Sequence, residues 1–301
     1  MRTLYKQHAG FTLIEMIVVM VITGIIGGMI AMFIRAPIQG YADSSRRAEM
    51  GDIADTALRR IGRDLRIAVP NSIRLPNPAG STYVEFLPTS AGGRYRADPA
   101  GGIAQCGGSA LGDALSFDAA DTCFSIIGPP ITFTADDAII IGSTQSDGSL
   151  PYLGVATATG VRRMLAPAGA GLQPTVRMTS TTTLPASAEL EGRRFQVVPA
   201  AQQAVTYACE NVAAAPAGGN GPGTLRRYWL YGFVPIQPVP PITLAGFPGV
   251  QSAILATNLS ECNFEYDASN QRNSLVALRL SITQGGEIIR LYHTIHVNNI
   301  P

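Results

Sequence analysis

The chain of 301 residues carries 22 basic and 21 acidic side chains, 14% charged in all, with 32 glycines and 21 prolines. A net charge of +1 offers no clustered cationic footprint of the kind nucleic acid requires, so none is expected as a partner. The length accommodates one membrane-spanning helix and a single-core domain of about 230 residues.

The first element is a polar leader, residues 1–10, with Arg2 and Lys6 as its cations and Gly10 as its end. A 24-residue apolar run follows at once, residues 11–34, broken by one acid, Glu15. A secretory peptide has 7–15 apolar residues and a small-residue exit. This run is about as long as a bilayer is thick and has no such exit. A carboxylate in a membrane helix costs roughly 2.5–3.5 kcal/mol at the centre and less near an end, so a charge partner is expected. If the chain is cut after Gly10, the new α-amine on Phe11 lies close to Glu15 in sequence. The amine of one subunit can then meet the carboxylate of the next inside the bilayer. Loss of Arg2 and Lys6 leaves 20 basic against 21 acidic side chains, a net charge of −1.

Gly10, Phe11, Thr12, Leu13, Ile14 and Glu15, behind a basic leader, resemble the class III signal of type IV pilins, type II secretion pseudopilins and their minor relatives. The resemblance implies that a prepilin peptidase cuts after Gly10 and N-methylates Phe11, and that Glu15 directs assembly by pairing with a neighbour's terminal amine. The partners it implies are that peptidase, an inner-membrane assembly platform, other minor and major pilins, and membrane lipid. It places the chain in the bacterial inner membrane, single-pass with a periplasmic C-terminal domain, and then on the pilus.

Beyond the apolar run, Ile53, Ala57, Ile61, Leu65 and Ala68 recur at spacings of three and four, with Asp52, Asp55, Arg59, Arg63 and Arg66 on the other faces. Asp55 with Arg59, and Arg60 with Asp64, are i,i+4 opposite-charge pairs. The spacing predicts a helix to residue 69, stopped by Pro70. Residues 11–34 are thus expected as a transmembrane helix and 35–69 as its amphipathic extension. Gly24, Gly27, Gly28 and Pro37 weaken the apolar half. They fit either a stretch that melts on leaving the bilayer, as the resemblance implies, or close packing between helices.

After Pro70 the pattern changes to short β-type segments, so residues 70–301 are expected as a β-rich domain and the fold as α+β, the helix packed on an antiparallel sheet. Candidate strands are residues 83–87, 114–117, 138–141, 195–198, 205–209 and 225–233. Residues 276–282 and 287–297 alternate around Gln284-Gly285-Gly286, which predicts an antiparallel hairpin. Residues 101–112, 167–174, 213–223 and 235–248 read as loops.

Cys106, Cys123, Cys209 and Cys262 lie beyond the helix without a C-x-x-C pair. An even number in an exported domain predicts two disulfides, of three possible connectivities. Cys106–Cys123 and Cys209–Cys262 are the expected pairs. The sequence has no Walker loop and no G-x-S-x-G elbow, and neither enzymatic chemistry nor a cofactor is expected. His293 and His296 should point to opposite faces of a strand, which argues against a shared metal. Asp118, Asp121, Asp136, Asp137 and Asp147 read as turn formers rather than calcium ligands. Tyr228, Trp229, Tyr231 and Phe233 read as core aromatics, with Trp229 and Tyr231 sharing a face.

The large domain, Tyr207-Ala208-Cys209-Glu210, Arg226-Arg227-Tyr228-Trp229 and the terminal His296-Val297-Asn298-Asn299-Ile300-Pro301 are similar to minor pilins of mannose-sensitive haemagglutinin pilus systems. Comparable large subunits are the W component of type IV pili and the J component of type II secretion. The roles implied are a structural subunit that starts a filament, or a binding module displayed at its tip.

Overall fold

The computed structural model describes residues 10, 12–97, 113–118, 120–179, 182–240, 244–267 and 273–301. The chain divides into two units, Met1–Glu49 and Met50–Pro301. One helix, α1 (Leu13–Arg66), passes from the first into the second. It runs unbroken through Gly24, Gly27, Gly28 and Pro37.

The strands follow in chain order: β1 (Tyr83–Phe86), β2 (Ala91–Tyr95), β3 (Cys123–Ile127), β4 (Ile131–Phe133), β5 (Ala138–Ile141), β6 (Arg162–Met164) and β7 (Gly171–Gln173). Then come β8 (Thr175–Arg177), β9 (Arg194–Val198), β10 (Val205–Glu210), β11 (Gly223–Trp229), β12 (Gln251–Asp267), β13 (Asn273–Gln284) and β14 (Glu287–Asn298). One six-stranded sheet has the order β1-β10-β11-β12-β13-β14, and a second has β6-β5-β9-β2-β3-β8; β4 and β7 form a separate ribbon. All pairings are antiparallel. The architecture is α+β, with one long N-terminal helix and antiparallel sheets.

Strand alternation explains the layers of the domain unit. In β10, Val205, Tyr207 and Cys209 enter a core shared with Ala57, Leu58, Ile61 and Leu65 of α1. Ala208, one position out of phase, enters a second core with Ala138 and Ile140 of β5. Ile139 and Ile141 of β5 point the other way into a third core with Phe124 and Phe195. Strands β5 and β10 are therefore buried on both faces; β5 reads as an unbroken apolar run, whereas β10 also buries Thr206 and Glu210. By contrast, β14 puts Ile289, Leu291, Ile295 and Val297 on the first core while Arg290, Tyr292 and His296 are exposed. Its two-residue link to β13, Gly285-Gly286, has positive φ at both positions, 59° and 82°. That conformation suits glycine and the right-handed twist of a hairpin.

Several expectations need correction. α1 ends at Arg66, not residue 69, and Asn71 turns the chain with φ 55°. The Asn71 amide group donates to the Ser143 carbonyl at 2.7 Å, and its backbone N–H reaches the side-chain oxygen of Asn299 at 3.2 Å. Asn299 in turn donates to Ser274 and Tyr266, at 2.7 and 3.0 Å. The chain's last buried side chain thus secures the exit of the helix.

Residues 114–117 are not a strand, although the Leu115 N–H donates to the Arg96 carbonyl. The strand expected over residues 225–233 stops at Trp229, because Leu230 takes φ 63°. The resulting break in alternation overturns the shared face of Trp229 and Tyr231. Tyr231 joins Tyr228 in the second core, and Trp229 packs against the first. The expected loop at residues 167–174 holds a 3-10 turn and β7. The loop expected at residues 101–112 lies outside the described residues.

A disulfide joins Cys209 of β10 to Cys262 of β12, with Cα atoms 6.3 Å apart. It couples the strands on either side of β11. The expected partner of Cys123, Cys106, lies outside the described residues.

Two outcomes follow for the full-length protein in detergent, read by chemical denaturation. Ile61, with no exposed surface, should cost about 2–5 kcal/mol when truncated to alanine, whereas exposed Arg63→Ala should stay within roughly 0.5 kcal/mol. A Cys209→Ala/Cys262→Ala double variant should lose about 2–4 kcal/mol, since the bridge closes a loop with a sequence separation of 53.

Candidate functional site

The junction between leader and helix is built by Thr12. Its side-chain oxygen accepts from the Glu15 backbone N–H at 3.3 Å, and its carbonyl accepts from the Met16 N–H at 3.2 Å. Thr12 is therefore the N-cap, satisfying one of the amides that a helix start leaves orphaned. Thr12-Leu13-Ile14-Glu15 also has the spacing of a capping box, which sets Glu15 third in the helix. An anionic side chain in the first turn is favoured by the partial positive charge of the helix N-terminus. The carboxylate that looks costly in an apolar run thus occupies the end of the helix where its charge is best tolerated. Gly10 is exposed. Phe11 lies outside the described residues.

Behind the cap, α1 presents apolar side chains all round. Leu13, Met16, Met20, Ile26 and Phe33 are each at least half exposed, and none of the most apolar window of α1 is buried. The helix is long and apolar enough to cross a membrane. Its polar interruption, Thr23, returns its hydroxyl to the Val19 carbonyl at 2.7 Å and leaves no unsatisfied donor for lipid. A Cβ built at Gly24, Gly27 or Gly28 meets nothing within 4 Å, so these positions are open to a neighbour rather than filled by this chain.

The other candidates resolve into structure. His293 faces α1, where a Cβ on Gly62 would lie 3.4 Å from its Nε2, and His296 is exposed on the opposite face. Asp121 accepts from the Ser116 and Cys123 N–H groups at 2.8 and 3.0 Å. Asp137 accepts from the Thr134 and Ala200 N–H groups at 2.7 and 2.9 Å. Asp147 accepts from the Ser149 N–H at 3.0 Å, Asp136 takes φ 65°, and Asp118 is exposed. These contacts are those of turn carboxylates. Among the described residues, no group of three or more His, Cys, Asp or Glu side chains is placed to hold a metal.

The sequence reading missed two buried polar groups. Arg74 and Glu85 form an ion pair at 2.7 Å with almost no exposed surface. Glu85 also accepts from Tyr231 at 2.8 Å, and burial pushes its carboxyl pKa up while Arg74 and Tyr231 draw it down. Arg74 stacks 3.6 Å above the Tyr152 ring and donates to the Val234 and Pro235 carbonyls at 2.6 and 2.7 Å. This pair pins the proline-rich loop. The second group centres on Asp64, which accepts from the Tyr207 hydroxyl at 2.6 Å and meets Arg227 at 3.4 Å. Burial and the nearby Asp64 both raise the Tyr207 phenol pKa. Only the spacing of Asp64 signalled it in sequence, and that spacing pointed to Arg60. The expected Asp55–Arg59 pair is present at 2.6 Å.

Residues 5–32 match the family model described as the prokaryotic N-terminal methylation motif. The match spans Gly10, Phe11, the Thr12 cap and Glu15, together with most of the apolar run. No curated protein and no solved structure matches the chain. The motif and the apolar helix behind it support a type IV pilin-like or pseudopilin-like subunit, processed by a prepilin peptidase and anchored in a membrane.

Proposed function

We propose that this chain is a minor pilin, a low-abundance structural subunit that helps to start a type IV pilus and sits at or near the filament tip. The observation that carries the reading is the methylation motif placed across the capped start of an unpartnered apolar helix, with Glu15 in its first turn. In this reading residues 1–10 are removed after Gly10, Phe11 is N-methylated, and Glu15 pairs with a neighbour's terminal amine. Residues 11–34 span the inner membrane, and the remainder lies in the periplasm until assembly carries it outward. The work is done by contacts, without catalysis or a cofactor. The large domain and its resemblance to the MshO minor pilin favour a pilus of the mannose-sensitive haemagglutinin type.

The same features fit the J-type pseudopilin of type II secretion, and the large domain fits a tip adhesin. Gene deletion separates the three: lost pili support the initiating subunit, lost secretion the pseudopilin, and normal pili with lost adhesion the binding module.

Intact-mass measurement of the mature protein should give a chain that begins at Phe11 with one added methyl group. Gly10→Ala or a bulkier change should leave unprocessed precursor, because the peptidase must accommodate the residue before the cut. A chain that keeps residues 1–10 where the peptidase is active would sink the assignment. Glu15→Leu should insert at least as well as the parent, since it removes a charge from lipid, yet fail to restore pili to a deletion strain. Unchanged pilus counts would show that the carboxylate is not the assembly contact.

A further inference from the structure

The sheets of the domain unit close their outer edges with the chain itself, except at one strand. Beside β1, the Arg74 N–H donates to the Glu85 carbonyl at 2.9 Å and the Glu85 N–H returns to the Arg74 carbonyl at 3.1 Å. In the second sheet the ends of the two outermost strands, β6 and β8, meet through a bridge between Leu165 and Met178. There the Ala166 N–H donates to the Arg177 carbonyl at 2.8 Å and the Thr179 N–H to the Met164 carbonyl at 2.9 Å.

β14 differs. It is the last strand of the first sheet, 12 residues long and without proline, and its register with β13 runs from end to end without a shift. Across a two-residue turn Gln284 and Glu287 can pair only by bonding each other directly, so the odd-numbered residues of β14 give their N–H and C=O groups to β13. Those of Ile288, Arg290, Tyr292, Thr294 and His296 point away from the sheet. Among the described residues none of these groups has a hydrogen-bond partner, and all five residues are exposed. Proteins ordinarily shorten, bend or cover an edge of this length.

The side chains define what fits there. Toward α1, Ile295 and Val297 are buried but Ile289 and Leu291 only partly so, which leaves the first core short of cover along this edge. On the outer face Arg290 has no ion-pair partner among the described residues, and Ser281 opposite it is turned to Glu261, donating to that carboxylate at 2.8 Å. The outer row of β14, from Ile288 to Asn298, contains no acid. A second copy of the strand therefore offers Arg290 no carboxylate.

We infer that β14 is a strand-addition site, taking an extended segment of a different protein antiparallel along residues 288–296. The segment lays apolar side chains beside Ile289 and Leu291 and an acidic one beside Arg290. Main-chain bonds supply the attachment, and the alternate side chains supply the selectivity. This contact is separate from the one proposed for Glu15, and neither depends on the other.

The test uses the full-length chain in detergent and a fluorescent octapeptide that alternates valine with glutamate or threonine. The peptide should bind saturably and protect the amides of Arg290, Tyr292 and Thr294 from hydrogen exchange, a protection that Ile289 and Leu291 have already in the free protein. N-methylation of its glutamate and threonine amides, which face β14, should abolish binding; N-methylation of its valine amides, which face away, should leave it intact. Arg290→Glu should weaken binding severalfold and favour the same peptide with lysine in place of glutamate. Thr294→Pro, which removes an outward N–H and spares the β13 ladder, should weaken both peptides. Indifference to N-methylation, or no saturation at millimolar peptide, overturns the inference. Protection of the same amides that grows with protein concentration in the absence of peptide identifies a second copy as the occupant and overturns it as well.

Discussion

The burial of one stripe of α1 organises the domain. Ile61 and Leu65 have no exposed surface, and each such side chain removed from water contributes about 1.5–3 kcal/mol. Burying them requires a sheet wide enough to cover a helix and apolar on the facing side. Strands β10 to β14 supply that face through Tyr207, Leu225, Phe264, Leu278 and Ile295. Gly62 lies against the His293 ring, whose Nε2 would stand 3.4 Å from an added Cβ, an ordinary van der Waals contact.

The second layer depends on a buried charge. Glu85 lies on β1 between the helix-facing core and the second sheet, and without Arg74 it would be an uncompensated carboxylate, a defect worth about 3–5 kcal/mol. Apolar residues of similar volume would often be as stable. What they would lack is the hold on the Val234 and Pro235 carbonyls. A segment with so many prolines has few backbone N–H groups of its own, so its carbonyls need donors from elsewhere. Arg74 supplies two of them, and Gln237 completes the attachment by donating to the Arg74 carbonyl at 3.1 Å.

Where local pattern coincides with packing, the fold is legible in the sequence. The α1 stripe has a helical period, β5 is an unbroken apolar run, and β13 and β14 alternate around Gly285-Gly286; all stand where their patterns predict. The misses have physical causes. β2 contains Gly92 and Gly93, poor strand residues by propensity, yet a Cβ on Gly93 would stand 3.0 Å from the Phe195 ring, a tight contact that favours a small residue there. β12, 17 residues long, was missed because its alternation is interrupted at Asn258, with φ 61°, and its pairing with β13 shifts register between Leu259 and Glu261. At the N-terminus, the sequence disclosed Glu15 as a charge in an apolar run. It did not disclose why a carboxylate is tolerable there, because the Thr12 cap appears only once the helix start is fixed.

The chain thus separates two kinds of chemistry. Within the domain unit, the most deeply buried charged side chains have partners: Glu85 has Arg74 and Tyr231, and Arg163 reaches the Gly160 and Thr183 carbonyls at 2.9 Å. α1 is different, for none of its most apolar window is covered by side chains of this chain. A helix serving only to support the sheet gains nothing from that exposure. Lipid answers it, and the open space at Gly24, Gly27 and Gly28 also admits the close approach of another helix.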